Sequence, residues 1–134
     1  MPHFLGIDYG TKIIGVSIAT TPLAEPLTIL ENQPEAILKI GQLCDQEHID
    51  ALVVGVSEGE MAQKSREFGK QLARTLNLPV HYQDETLTSH QANQNLSHAK
   101  KSRRAKPQDA YQATVMLQEY LDAHPPTFES LDGV

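Results

Sequence analysis

The sequence has one cysteine, Cys44, no tryptophan, and no apolar run approaching the roughly 20 residues of a membrane span. A lone cysteine closes no internal disulfide. That removes the disulfide-stapled secreted scaffolds and makes a reducing cytoplasm the expected compartment. The missing apolar run predicts no membrane partner. The N-terminus enters a strand at once, which leaves no room for a signal peptide. Cations are the minority, 11 Lys and Arg against 17 Asp and Glu, for a formal net charge of -6. Nucleic-acid binding by overall charge is therefore excluded, and only a local basic patch could support it. The six histidines show no metal-ligand spacing. There is no internal repeat. The length of 134 residues predicts one domain over 1–134. Its tail from 124 to 134, with Pro125-Pro126, is expected to fray.

What is present is organised around Phe4-Leu5-Gly6-Ile7-Asp8-Tyr9-Gly10-Thr11-Lys12. A short apolar strand runs into a carboxylate and then a glycine turn. Asp is depleted from strands, so its place at the end of one needs a reason. On a pleated strand Phe4, Gly6 and Asp8 share one face, and Leu5 and Ile7 the other. Gly6 leaves space beside Asp8 for another backbone or a ligand. A carboxylate half sunk in a sheet is costly unless a cation or donor set compensates it. Asp8 could equally accept hydrogen bonds from its own turn.

The remaining pattern is α/β. Residues 3–8 and 12–19 read as an antiparallel hairpin, and 27–30 as a third strand. Asn32, with Pro34 and Glu35, reads as the start of a helix carrying Ile37, Ile40, Leu43 and Cys44. Ala51 to Val56 is a continuous apolar run, the mark of a central strand buried on both faces. Ser57 and Glu60 have capping-box spacing before a helix carrying Met61, Phe68, Leu72 and Leu76. Leu78 to Gln83 reads as a fifth strand, ending at Asp84-Glu85. Thr88 and Gln91 predict a short helix to about residue 96, and Ser97 to Lys106 a basic loop. Pro107 suits the first position of a last helix, whose buried stripe is Ala110, Ala113, Leu117 and Leu121. The economical arrangement is a mixed five-stranded sheet, three antiparallel strands plus two parallel, with helices on both faces.

Three acidic points stand out: Asp8, Glu85 with Asp84 beside it, and Asp109. If the first and fifth strands flank the central one, the first two lie at one sheet edge, and the last helix can lay Asp109 across them. Three converging carboxylates would repel, so one must take a proton or a divalent cation. Hard oxygens suit Mg²⁺ or Mn²⁺. Two such ions about 3.5–4 Å apart are the arrangement for phosphodiester cleavage. Each point also has a plain structural reading. Asp109 can complement a helix dipole, Asp84 and Glu85 can be a solvated pair, and the basic run can be solvated surface. Functionally, Lys100, Lys101, Arg103, Arg104 and Lys106 would contact phosphates immediately before Asp109.

With those residues in hand, the chain resembles the YqgF family, also called RuvX, a family assigned to Holliday junction resolution. Leu5-Gly6-Ile7-Asp8-Tyr9-Gly10-Thr11-Lys12 with Ile14-Gly15-Val16-Ser17 is similar to its first motif, and Val53-Val54-Gly55 to its central strand. Asp84-Glu85-Thr86-Leu87-Thr88 is similar to its second acidic motif. Asp109-Ala110 with Val115-Met116-Leu117-Gln118 is similar to its last. The first motif alone is shared with sugar kinases and actin-like ATPases. The resemblance implies a ribonuclease H-like fold and a nuclease using Mg²⁺ or Mn²⁺, two ions, on Asp8, Glu85 and Asp109. It also implies the bacterial cytoplasm. Thr11, Lys12 and the basic run are the candidate nucleic-acid contacts, and a monomer or homodimer is expected. The implied partners are pre-rRNA, in maturing the 5′ end of pre-16S ribosomal RNA, or branched DNA.

Two departures stand out. Thr86 occupies a position where the family usually has Arg, and threonine cannot hold phosphate bidentately. Val56-Ser57-Glu58-Gly59-Glu60 is shorter and more acidic than the family's loop. Two other readings stay open. One is a catalytically weak nucleic-acid-binding module of the same fold. The other is an ATPase-like phosphate binder using Gly10-Thr11, although that fold needs two such lobes.

Overall fold

Five strands form one sheet: β1 (Phe4–Asp8), β2 (Ile13–Ala19), β3 (Glu25–Glu31), β4 (Ala51–Val56) and β5 (Val80–Asp84), in the order β3-β2-β1-β4-β5. The structure is a computed structural model that describes residues 1–84 and 105–124, with backbone alone over 105–109. β1 pairs antiparallel with β2, and β2 with β3. β4 runs parallel to both β1 and β5. The expected mixed sheet, with the apolar run at 51–56 between the first and fifth strands, is the one observed.

Among the described residues three helices pack on it: α1 (Ala36–Glu47), α2 (Glu60–Leu76) and α3 (Ala105–Ala123). Alternation along the strands divides the core in two. Leu5, Ile7, Ile14, Val16, Leu52 and Val54 meet Ile40 of α1 and Phe68 and Leu72 of α2. Phe4, Ala19, Ala51 and Val53 meet Met116, Leu117, Tyr120 and Leu121 of α3. Tyr120 also stacks with His81 of β5 and with His124. Cys44 lies on the buried face of α1, and burial with nearby Asp45 pushes its thiol up to about 11. Among the described residues no helix is long and apolar enough to cross a membrane.

Several element starts depart from expectation. Asn32 does not cap α1. Its amide donates to the Gly10 carbonyl at 2.8 Å, tying the end of β3 to the β1–β2 turn. The helix begins four residues later, with no side-chain cap on Glu35. Ser57 does not cap α2 either. The chain turns through Gly59 at φ 72°, a conformation open to glycine, and helix begins at Glu60. β3 is longer than expected and carries a bulge opposite Val16 and Ser17, next to Pro26 on this edge strand. β5 starts at Val80 and includes Asp84. Lys106 belongs to α3 rather than to a loop, and Pro107 is the third helical residue. That position is tolerated because first-turn N–H groups have no helical acceptor. The expected helix over 88–96, the basic residues 100–104 and the tail from 125 lie outside the described residues.

Candidate active site

Asp8 ends β1, half-buried, on the α3 face of the sheet. Its partner directly across on β2 is Gly15. Ile7 is level with Val54, which puts Asp8 level with Gly55 on β4. Neither neighbour has a side chain, so the carboxylate stands in a notch of the side-chain layer. Gly55 in turn pairs with Gln83 of β5. The sequence reading singled out Gly6 but missed Gly15 and Gly55. Glycine inside a strand was the available signal.

The space beside Gly6 is filled by protein. A Cβ there would collide with the Ser17 hydroxyl and come within 3.1 Å of the Leu117 Cβ and 3.4 Å of the Ala113 carbonyl. Ser17 lies opposite Gly6 in the β1–β2 pair, fully buried, and its hydroxyl donates to the Ala113 carbonyl at 2.8 Å. Farther along, the ring of Tyr120 meets Phe4 edge-on at 5.8 Å. Helix and strand therefore run in opposite directions, and the N-terminal part of α3 heads toward the Asp8 end of β1.

Asp84 is exposed and belongs to the opposite face. It aligns with Val56 and lines a cleft of about 340 Å³ with Ser57, Glu58, Ala62, Arg66 and Tyr82. Thr11 and Lys12 are exposed in the β1–β2 turn, at the same end of the sheet as Asp8. A Cβ on Gly10 would collide with the Ile13 carbonyl, so the tight turn accounts for this glycine without a phosphate. Tyr9 turns to the other face and packs its ring on Phe68 at 4.7 Å.

Glu85, Lys100, Lys101, Arg103 and Arg104 lie outside the described residues, as do the side chains of Lys106 and Asp109. Among the described residues, no three His, Cys, Asp or Glu side chains are grouped to hold a metal ion. What the described residues supply toward one is Asp8 in its notch, an anionic oxygen donor at the carboxyl end of a central strand. In open α/β sheets that edge is where ligands sit.

A protein family described as RuvX: Holliday junction resolvase matches residues 2–123. A protein of Oenococcus oeni, provisionally named a pre-16S rRNA nuclease, is 34% identical over 90% of this chain and 94% of its own. One of Paraburkholderia phymatum with the same provisional name is 37% identical over 88% of this chain and 83% of its own. Among solved structures, Thermus thermophilus RuvC in complex with a Holliday junction substrate superposes with a TM-score of 0.62 at 15% identity, covering 95% of this chain and 98% of that one. The fowlpox virus Holliday junction resolvase gives 0.56 at 11% identity, over 90% and 98%. At such identities these neighbours show the fold, which is the ribonuclease H-like one.

Proposed function

The chain belongs to the RuvX family, and from that membership and the notch around Asp8 we propose that it is a metal-dependent nuclease acting on structured nucleic acid in the cytoplasm. The names of the relatives favour pre-16S rRNA as its substrate, and we place the reaction in maturation of that RNA's 5′ end. The family description favours Holliday junction cleavage as the second reading. We take residues 1–134 as one nuclease domain.

The carrying observation is Asp8 at the end of β1, between two glycines, with α3 crossing one residue pair away at Gly6 and Ala113. In α3, Asp109 precedes Ala113 by one turn. Four helical residues rise about 6 Å, and two strand residues about 6.7 Å. Counted from the Gly6–Ala113 contact, Asp109 thus comes level with Asp8. Glu85 follows Asp84, the last residue of β5, and on our reading it supplies the other carboxylate. Three carboxylates at one edge would repel unless a cation sits among them. We assign Asp8, Glu85 and Asp109 as the catalytic carboxylates and as ligands of Mg²⁺ or Mn²⁺, in a pair of ions. When bound, such a pair supplies activation of water and charge neutralisation at the leaving oxygen.

The chain's own residues do the rest. Gly15 and Gly55 leave the floor beside Asp8 low enough for a phosphodiester to approach. Thr11, Lys12, Lys100, Lys101, Arg103, Arg104 and Lys106 hold neighbouring phosphates. A covalent route through Cys44 is disfavoured, because its thiol is buried on the far face and pushed up to about 11.

Asp8→Asn tests this reading. Cleavage of a pre-16S rRNA 5′ leader in saturating Mn²⁺ is expected to fall on the order of 10³-fold or more, since several kcal/mol of barrier is at stake, with the circular dichroism unchanged. A variant that cuts at near the unmutated rate sinks the proposal. A salt series on binding to the same RNA reads the phosphate contacts. Replacing Lys100, Lys101, Arg103 and Arg104 by Ala is expected to flatten log affinity against log salt by up to about four contacts' worth.

A further inference from the structure

Ser17 is fully buried, and its hydroxyl spans the gap from β2 to a carbonyl of α3, 96 residues away. The carbonyl of Ala113 lies inside a helix, where the N–H of Leu117 is its regular partner. The strand's hydroxyl therefore adds a second bond to a group already satisfied. What it contributes is direction. Met116, Leu117, Tyr120 and Leu121 hold α3 on the sheet by apolar packing, which is non-directional and tolerates small slides or rotations. A 2.8 Å hydrogen bond from one strand position to one carbonyl does not. Gly6 is the other half of the device, since a side chain there would occupy the place of the Ser17 hydroxyl.

We propose that Ser17 is the positioning residue of the carboxylate site. By bonding the Ala113 carbonyl it sets the axial position of α3, and so where Asp109, one turn earlier, stands relative to Asp8. The inference rests on the carboxylate reading given above. It predicts that losing the hydroxyl disturbs the metal-binding geometry before it disturbs the fold. α3 has a second polar tie to serve as control. Gln118 accepts from the Ala24 N–H at 2.8 Å and donates to the Pro22 carbonyl at 3.0 Å, but it anchors a loop rather than the sheet, and it is nine residues from Asp109.

The test is calorimetric titration of Mn²⁺ into the full chain without nucleic acid, for the unmutated protein, Ser17→Ala, Gln118→Ala and Asp8→Asn. Outer-shell partners of metal ligands typically carry about 10–100-fold in affinity. Ser17→Ala is expected to bind Mn²⁺ weaker by that much while remaining folded. Gln118→Ala is expected to lose stability with Mn²⁺ affinity within about twofold, since it holds no ligand's neighbour. Equal Mn²⁺ affinity in Ser17→Ala and the unmutated protein, with Asp8→Asn weakened, overturns the positioning role alone. Unaltered Mn²⁺ binding in Asp8→Asn overturns the carboxylate reading and this inference with it. Equal weakening in Ser17→Ala and Gln118→Ala makes Ser17 a general stabiliser of α3 and also overturns the inference. Should Ser17→Ala not fold, Ser17→Cys, a weaker donor of similar size, is read by the same criteria.

Discussion

On the face covered by α1 and α2 the three central strands contribute Leu5, Ile7, Ile14, Val16, Leu52 and Val54, all fully buried. On the face covered by α3 the interleaved positions are Gly6, Asp8, Gly15, Ser17, Val53 and Gly55. The same strands thus present a continuous aliphatic layer on one side and a low, partly polar floor on the other. The first can be filled by any well-shaped apolar surface, and its contribution scales with buried area. The second lets a helix backbone come within contact of a strand and seats the half-buried Asp8 carboxylate between two glycines. On the proposed reading the chemistry sits on the α3 face, and a one-residue slip in a strand would move its side chains to the opposite face.

The largest effect expected to sharpen that contrast is at adjacent positions. Asp84 lies on the α2 face, and on the proposed reading Glu85 serves the other. Glu85→Gln is expected to cut metal-dependent cleavage on the order of 10³-fold, and Asp84→Asn to leave it near the unmutated rate. Inverted results in the same single-turnover assay would put the functional register of β5 off by one. Leu72→Ala, beneath the aliphatic layer, is expected to cost about 2–5 kcal/mol in urea unfolding while cleavage per folded molecule is kept. An activity loss with no stability loss would break the division of labour.

Gly6→Ala carries a smaller cost, about 1–3 kcal/mol, as its Cβ overpacks against Ser17 and α3. Combining it with Ser17→Ala removes the nearest collision, so the double variant is expected to be less destabilised than the two single losses added. Simple additivity in thermal unfolding would mean that the two sites do not share the space.

The smallest effect belongs to the aliphatic side. Cys44 keeps its thiol proton up to about 11 because it is buried near Asp45. The unfolded chain releases that proton earlier, in the ordinary thiol range. The stabilisation is therefore complete below that range and is lost as pH rises from there through about 11. Cys44→Ala is expected to show a shallower alkaline decline in unfolding midpoint. An identical decline would assign it to other groups.

Much of this was legible in the residues. The unbroken apolar run Ala51 to Val56 read as an inner strand buried on both faces, and its flanking by the first and fifth strands, only a condition in the sequence, is what the pairing of β4 shows. The hazard of Asp8 at a strand end was visible as a local anomaly. Helix starts were not: Asn32 and Ser57 sit at capping distance, yet Asn32 is taken by the Gly10 carbonyl and Ser57 is displaced by the turn at Gly59. A cap is worth about 1 kcal/mol, so a single competing contact from elsewhere in the chain reverses it.

The sequence by itself determined which residues lie on which side of each strand and helix, because those periods of two and 3.6 are properties of the local backbone. It thereby determined that Gly6 and Asp8 share a face and that Leu5 and Ile7 share the other. Only the tertiary structure decided what that face meets. Gly15 and Gly55 flank Asp8 through strand register, Asp84 turns to the α2 side through the pairing of β5, and Ser17 reaches Ala113 across 96 residues. Those partners depend on how far one element slides along another, a distance that no local period encodes.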